Sequence, residues 1–176
     1  MKAVFLDRDE TLNHDPGYIN DPEIIKLKDS AAEGLKLLSD AGYIFFILTN
    51  QSGVGRGKIL PEQLDAVHKR LLEELEKHSI HIEKIYYCPH VDEDHCTCRK
   101  PKSGLLDQAL SEYEIDIEKS FLIGDRIRDI IPGEKVRMKG ILVFNKIAPS
   151  DKIPSNLIFM AENLIDAAGF ILKSDS

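Results

Sequence analysis

The chain opens on a short apolar run, Ala3-Val4-Phe5-Leu6, that stops abruptly at Asp7, Arg8 and Asp9. Such a run predicts a buried parallel strand with polar chemistry at its carboxyl end. Tyr43 to Leu48, Lys84 to Tyr87, Phe121 to Ile123 and Ile141 to Phe144 repeat the pattern, and a weaker strand is expected near Leu157. Helical spacing fills the gaps. Ala31, Leu35, Leu37 and Leu38 place an apolar face on a helix opened by a Ser30/Glu33 capping box and closed at Gly42. Pro61 opens a second helix, with Leu64, Val67, Leu71 and Leu75 in register, and Ser103 to Tyr113 reads as a third. A helix is also expected after Asp125, its start blurred by Pro132, and a last one over Ala161 to Ile171. Residues 13–29 carry two prolines and a glycine and read as a loop inserted after the first strand. The QSGVGRGK stretch after the second strand reads as a flexible glycine loop, and residues 88–102 as a polar loop.

Strands alternating with helices predict an α/β fold: one Rossmann-like parallel sheet with helices on both faces, forming a single domain over residues 1–176. In that architecture all carboxyl strand ends share one edge, where ligands bind. The polar clusters fall there: Asp7 and Asp9, Thr49 and Asn50, Arg99 and Lys100, Asp125 and Asp129. Asp7 and Asp125, from different strands, suit a shared hard cation such as Mg²⁺. Thr49 and Lys100 suit the oxygens of a phosphoryl group. A carboxylate nucleophile, a cation and phosphate-neutralising donors together point to phosphoryl transfer through an aspartyl-phosphate.

Charge and composition narrow the partners. Thirty acidic against 23 basic residues leave a net charge of −7, which argues against a nucleic-acid or anionic-membrane binder. A hydrophobic share of 43% is that of a globular chain, and no apolar stretch approaches the length of a membrane span. The N-terminus meets acidic residues before any signal-peptide core forms, so a cytoplasmic protein is expected, with a monomer as the default for so small a fold. Three cysteines crowd into positions 88, 96 and 98, which speaks for metal ligation and against a disulfide framework. Cys88, His90, Cys96 and Cys98 supply three thiolates and an imidazole, a soft tetrahedral set for a structural Zn²⁺ with no open position. His95 is a competing ligand of lower rank, while His14, His68, His78 and His81 read as surface or helix residues.

The segments FLDRDETLN, ILTNQSGVGRG, CRKPKSG and IGDRIRDI, in that order, resemble the haloacid dehalogenase superfamily of phosphatases. Within it they are similar to the heptose 1,7-bisphosphate phosphatases and the related histidinol-phosphate phosphatases. The resemblance runs from Lys2 to about Phe144 and implies a compact fold without a large cap. It implies Asp7 as nucleophile and metal ligand, and Asp9 as general acid and base whose backbone carbonyl also reaches Mg²⁺. Asp125 is then the third ligand, and Thr49 and Lys100 are the phosphoryl-stabilising pair. It further implies a zinc loop that stiffens the segment presenting Arg99 and Lys100, with Arg99 and Arg126 meeting substrate. The HDPGYIND insert and the glycine loop look like those bordering the sugar site of the heptose enzymes. Asp15, Pro16, Gly17 and Tyr18, with Asn50, Gln51 and Ser52, are accordingly expected on the sugar side, and a small phosphorylated sugar is the expected partner. The five-residue spacer between His90 and Cys96, and the GDR segment, look equally like the histidinol-phosphate enzymes. One departure stands out: Glu10 occupies a place where the family has glycine. A side chain there is expected either to strain the turn and crowd the phosphate site, leaving a zinc-stabilised phosphate-binding module, or to point harmlessly outward.

Overall fold

The computed structural model describes residues 1–144 and 146–174. Six parallel strands form one sheet: β1 (Ala3–Leu6), β2 (Ile44–Asn50), β3 (Ile82–Cys88), β4 (Phe121–Gly124), β5 (Lys139–Val143) and β6 (Leu157–Ala161). Their order is β3-β2-β1-β4-β5-β6. The chain therefore winds outward from β1 in one direction, then restarts at β4 and winds in the other, so the crevice between β1 and β4 is the topological switch point.

Alternation along the strands sorts the core into two layers. Val4, Leu6, Phe45, Ile47, Ile123 and Ile141 face one side, where α1 (Ala31–Asp40), α3 (Pro61–Glu76) and α6 (Leu164–Ser174) cover them. Phe5, Phe46, Leu48, Leu122 and Leu142 face the other, under α4 (Gly104–Glu112) and α5 (Ile127–Ile130). Burial on both faces is why each strand reads as a continuous apolar run.

Several local expectations change for tertiary reasons. Ser30 makes no side-chain cap to its own helix. Its hydroxyl instead accepts the backbone N–H of Leu164 at 3.3 Å, serving the start of α6, which packs against α1 so closely that a Cβ on Gly34 would meet Leu164 O at 2.5 Å. Leu37 is exposed, because the buried stripe of α1 runs through Ala31, Gly34, Leu35 and Leu38. The glycine loop after β2 contains a one-turn helix, α2 (Ser52–Gly55). After Asp125 the helix lasts only four residues and passes into a 3-10 turn over Ile131–Val136, where Pro132 fits because an early helical position asks for no N–H. His68 is a helix residue, on α3, and is buried there against the Tyr87 ring, 5.7 Å between centroids, where burial pushes its pKa down to about 3.

Candidate active site

The switch point gathers the charged residues. Asp7 follows β1, with its N–H still bonded to Ile123 O of β4 at 2.9 Å, and Asp125 follows β4 directly. Asp129, one turn further along α5, folds back under both. Gly124 makes this possible, since a Cβ there would sit 2.3 Å from the Asp129 Cβ. One carboxylate oxygen from each of Asp7, Asp125 and Asp129 lies within 4.8 Å of the other two. The Lys100 ammonium plugs into this cluster, 2.7 Å from Asp7 Oδ1 and 2.7 Å from Asp129 Oδ1, with a third bond to Leu48 O at 2.6 Å. Burial, and the nearby Asp129 and Asp9, push Asp7 up to about 7, while Lys100 works the other way. Burial also disfavours a charged Lys100, but Asp129 and Asp7 overcome it and keep the ammonium ionised. Three hard oxygen donors around one point fit Mg²⁺, which takes carboxylates together with water and phosphate oxygens.

Asp9 turns away from this cluster. Arg8, only 1% exposed, holds it in a fork, Nε to Oδ1 and Nη2 to Oδ2, both at 2.9 Å. Asn13 Nδ2 and Gln51 Nε2 donate to the same carboxylate at 3.1 and 2.9 Å. Burial opposes ionisation, but Arg8 and these donors outweigh it and hold the Asp9 pKa below the usual carboxylate value. Thr49 Oγ1 is buried and accepts from Gln51 Nε2 at 2.9 Å. Asn50 clamps the Lys100 peptide from both sides, Oδ1 accepting its N–H at 2.9 Å and Nδ2 donating to its C=O at 3.0 Å. Asn50 and Gln51, expected on the sugar side, therefore line the cavity with side chains committed to positioning Lys100, Thr49 and Asp9.

Above these groups lies a cavity of about 250 Å³ whose walls include Asp15, Gly17, Tyr18, Ser52, Arg99 and Arg126. Pro16 is exposed beside it. Gly17 and Tyr18 both adopt positive φ, 101° and 49°, and the Lys58 ammonium lies 4.2 Å from the Tyr18 ring centre, which fixes the insert over α2. Arg99 Nε donates to Asp92 at 2.6 Å, and Arg126 Nε stands 3.7 Å from Asp125.

Glu10 has φ 63°, the left-handed conformation that favours glycine. Its carboxylate does not enter the phosphoryl cluster. It accepts the Asp15 N–H at 2.8 Å and pairs with Lys28 at 2.7 Å and Lys146 at 3.3 Å, and Lys146 in turn reaches Asp125 at 3.2 Å. Partial burial works against the charge, yet these partners bring the Glu10 pKa down to about 2 from an ordinary 4.5. A depressed pKa adds stability above the unfolded value and loses it as pH falls through the folded one. Glu10→Gln is thus expected to be less stable than the parent at neutral pH by about 1 kcal/mol for the part-exposed pairs. Urea midpoints should show the gap closing as pH drops from about 4.5 toward 2; a gap independent of pH would mean the pairs contribute nothing.

Beside the cavity, the loop after β3 brings Cys88, His90, Cys96 and Cys98 together. Five of the ligand-atom separations lie between 2.9 and 3.6 Å, from Cys98 Sγ to Cys88 Sγ at the short end to both Cys96 pairs at the long end. A tetrahedral ion with bonds of about 2.0–2.3 Å spreads its ligands by roughly 3.3–3.8 Å, so the set is close to metal-ready. Cys96 is partly buried, which opposes ionisation, but the Arg99 N–H and the neighbouring thiols lower its pKa to about 6. His95 lies exposed in the left-handed conformation outside the cluster.

In the sequence Asp129 falls at this edge with no role attached to it, and no motif marks Arg8, Lys146 or the cavity-lining Arg128. The i, i+4 spacing of Asp125 and Asp129 was the available signal for the first; for Lys146 there was none, because its place depends on where β5 ends.

A buried carboxylate, a buried ammonium and a hard-cation site at the switch point of a doubly wound sheet are the parts of a phosphoryl-transfer enzyme of the haloacid dehalogenase class. Residues 97–166 match the HAD-hydrolase-like family model. The chain is 37% identical over 148 residues to D-glycero-beta-D-manno-heptose-1,7-bisphosphate 7-phosphatase of Pasteurella multocida, covering 81% of this chain and 80% of that one. It is 33% identical over 174 residues to the alpha-heptose enzyme of Campylobacter jejuni, covering 99% and 98%. The crystal structure of a D,D-heptose 1,7-bisphosphate phosphatase from B. bronchiseptica, complexed with magnesium and phosphate, superposes with a TM-score of 0.90 at 26% identity over 99% of each chain. The chain belongs to this family of HAD-like phosphatases, whose members use Mg²⁺. Among the described residues no separate cap domain is inserted, and no helix is long and apolar enough to cross a membrane.

Proposed function

We propose that the chain is a cytoplasmic, monomeric, single-domain phosphatase that removes the 7-phosphate of D-glycero-D-manno-heptose 1,7-bisphosphate. The observation that carries this reading is the pairing of Asp7 with Lys100 at 2.7 Å on the floor of a cavity whose rim presents Arg99 and Arg126, one anion seat below and basic groups above. The names of the relatives support the sugar. Asp7 and Asp125, with the Asp9 backbone carbonyl, would hold Mg²⁺, which when bound supplies positive charge to the phosphoryl oxygens.

In the first step an Asp7 oxygen forms a bond to phosphorus while the bond to the sugar oxygen breaks and Asp9 gives that oxygen a proton. Lys100 and Thr49 face the phosphoryl oxygens, where charge develops. In the second step Asp9 takes a proton from water, whose oxygen displaces Asp7 from phosphorus. The Arg8 fork leaves Asp9 ionised in the empty site, the form the second step needs. Arrival of a phosphate dianion raises its proton affinity by like-charge repulsion and prepares it for the first. Cys88, His90, Cys96 and Cys98 bind a structural Zn²⁺ that stiffens the loop delivering Arg99 and Lys100. Arg99 receives the phosphate that stays on the sugar.

The test is phosphate release with Mg²⁺ from both anomers of heptose 1,7-bisphosphate and from histidinol phosphate, side by side. A kcat/KM for the bisphosphate at least tenfold higher is expected. Preference for histidinol phosphate overturns the substrate, and no release above an Asp7→Asn blank overturns the enzyme reading in favour of a phosphate-binding module.

A further inference from the structure

Glu10 joins a lysine to the candidate metal site. Its carboxylate is fixed from two sides, Oε1 by the Asp15 N–H at 2.8 Å and Oε2 by the Lys28 ammonium at 2.7 Å. Lys28 is itself placed over the Phe144 ring, 5.3 Å from its centre, just after the end of β5. Two residues further on, the Lys146 ammonium stands between two carboxylates, 3.3 Å from Glu10 Oε2 and 3.2 Å from Asp125 Oδ2. Both separations are longer than the 2.7 Å contacts of Lys28 with Glu10 and of Lys100 with Asp7, so Lys146 is shared and firmly held by neither.

The two partners in the Lys146–Asp125 pair differ in their freedom. The Asp125 side chain is 4% exposed and sits directly after β4, whereas the Lys146 side chain is 38% exposed on a loop. The lysine, a point charge on a flexible stem, is the partner that can move. A positive charge 3.2 Å from Asp125 opposes a second cation on the same carboxylate, and the Arg126 guanidinium at 3.7 Å adds to it. Burial of Asp125 keeps that repulsion from being fully screened. The Glu10 carboxylate works the other way, because it offers the same ammonium an equally distant seat away from Asp125. A glycine at position 10 would supply no such seat.

We infer that Lys146 is a tethered competitor of the metal at Asp125 and that Glu10 is the positioning residue that draws it off, so that this pair sets the Mg²⁺ affinity of the site. The inference rests on the reading above that Asp125 holds Mg²⁺. With the site occupied, Lys146 keeps its bond to Glu10 and gives up the one to Asp125. The two residues therefore act in opposite directions: removal of the lysine tightens metal binding, and removal of the glutamate weakens it.

The experiment measures Mn²⁺ binding to the substrate-free protein by loss of the free-ion EPR signal, and Mg²⁺ affinity by displacement of the Mn²⁺. Ionic strength is fixed, and an Asp125→Asn blank subtracts ions held elsewhere. Lys146→Met is expected to lower the Mg²⁺ dissociation constant about fivefold and Glu10→Gln to raise it about threefold, sizes that follow from part-exposed charge pairs. Lys146→Arg, which keeps the charge, should stay close to the parent; a shift as large as that of Lys146→Met overturns the competitor. A dissociation constant that rises in Lys146→Met shows that the lysine merely orients Asp125 and overturns it too, as does an unchanged one. In the Lys146→Met background Glu10→Gln should lose most of its effect. An equal effect in both backgrounds shows that Glu10 acts through Lys28 or the turn, and overturns its part in drawing Lys146 off. If the parent binds no more metal than the blank, Asp125 holds no cation and the underlying reading falls with the inference; the variant outcomes, read only above the blank, overturn the inference alone.

Discussion

Asp7→Asn is expected to lower phosphate release by about 10⁴-fold or more, the size of effect seen when a covalent nucleophile is removed, while leaving a folded protein. The amide is close to isosteric. Lys100 keeps Asp129 Oδ1 at 2.7 Å and Leu48 O at 2.6 Å, so no buried charge is stranded. The same substitution has a readout in stability. Burial lifts the Asp7 pKa to about 7 in the metal-free protein, so the stability this group contributes is complete below pH 3.8 and is lost as pH rises toward 7. Asparagine does not titrate. Urea unfolding without metal should therefore show the parent losing stability relative to Asp7→Asn across that window. Retained turnover would remove Asp7 as the nucleophile, and parallel stability curves would mean its carboxylate is not desolvated as the geometry indicates.

Cys96→Ser is expected to abolish metal retention by the Cys/His loop and to lower stability by about 3 kcal/mol, the linkage energy of a metal held at somewhat over 100 times its dissociation constant. For a chain of this length that is a fall in Tm of about 6–12 °C. The effect reaches the active site because Cys98, Arg99 and Lys100 are consecutive, and because this segment packs against α4 at a point where a Cβ on Gly104 would meet Thr97 O at 2.5 Å. Loss of metal should therefore reduce turnover as well, through misplacement of Lys100. Elemental analysis and thermal melts decide it: zinc content and Tm equal to those of the parent would mean that Cys96 holds no metal.

Glu10 shows how a departure from a family pattern is decided by what surrounds it. Its backbone does adopt the strained conformation that glycine relieves, at a cost of about 1–2 kcal/mol. Its side chain is drawn outward by Lys28, Lys146 and the Asp15 N–H, and leaves the phosphoryl cluster open. Only the folded chain brings two lysines 18 and 136 positions away to that carboxylate.

The sequence by itself determined the strands, because residues buried on both faces must be apolar without interruption. It also determined the order of the charged clusters at their carboxyl ends, because parallel winding sends every such end to one edge. Asp7, Thr49, Lys100 and Asp125 were legible for that reason, and the Cys/His loop was legible from its own short spacing. Tertiary structure decided which side chains touch. Asn50 and Gln51 hold Lys100, Thr49 and Asp9, Ser30 serves α6 instead of α1, and His68 is buried against Tyr87. Each of these depends on contacts between segments far apart in the chain, and hydrophobic periodicity carries information about a segment's own buried face but none about its partner across the fold.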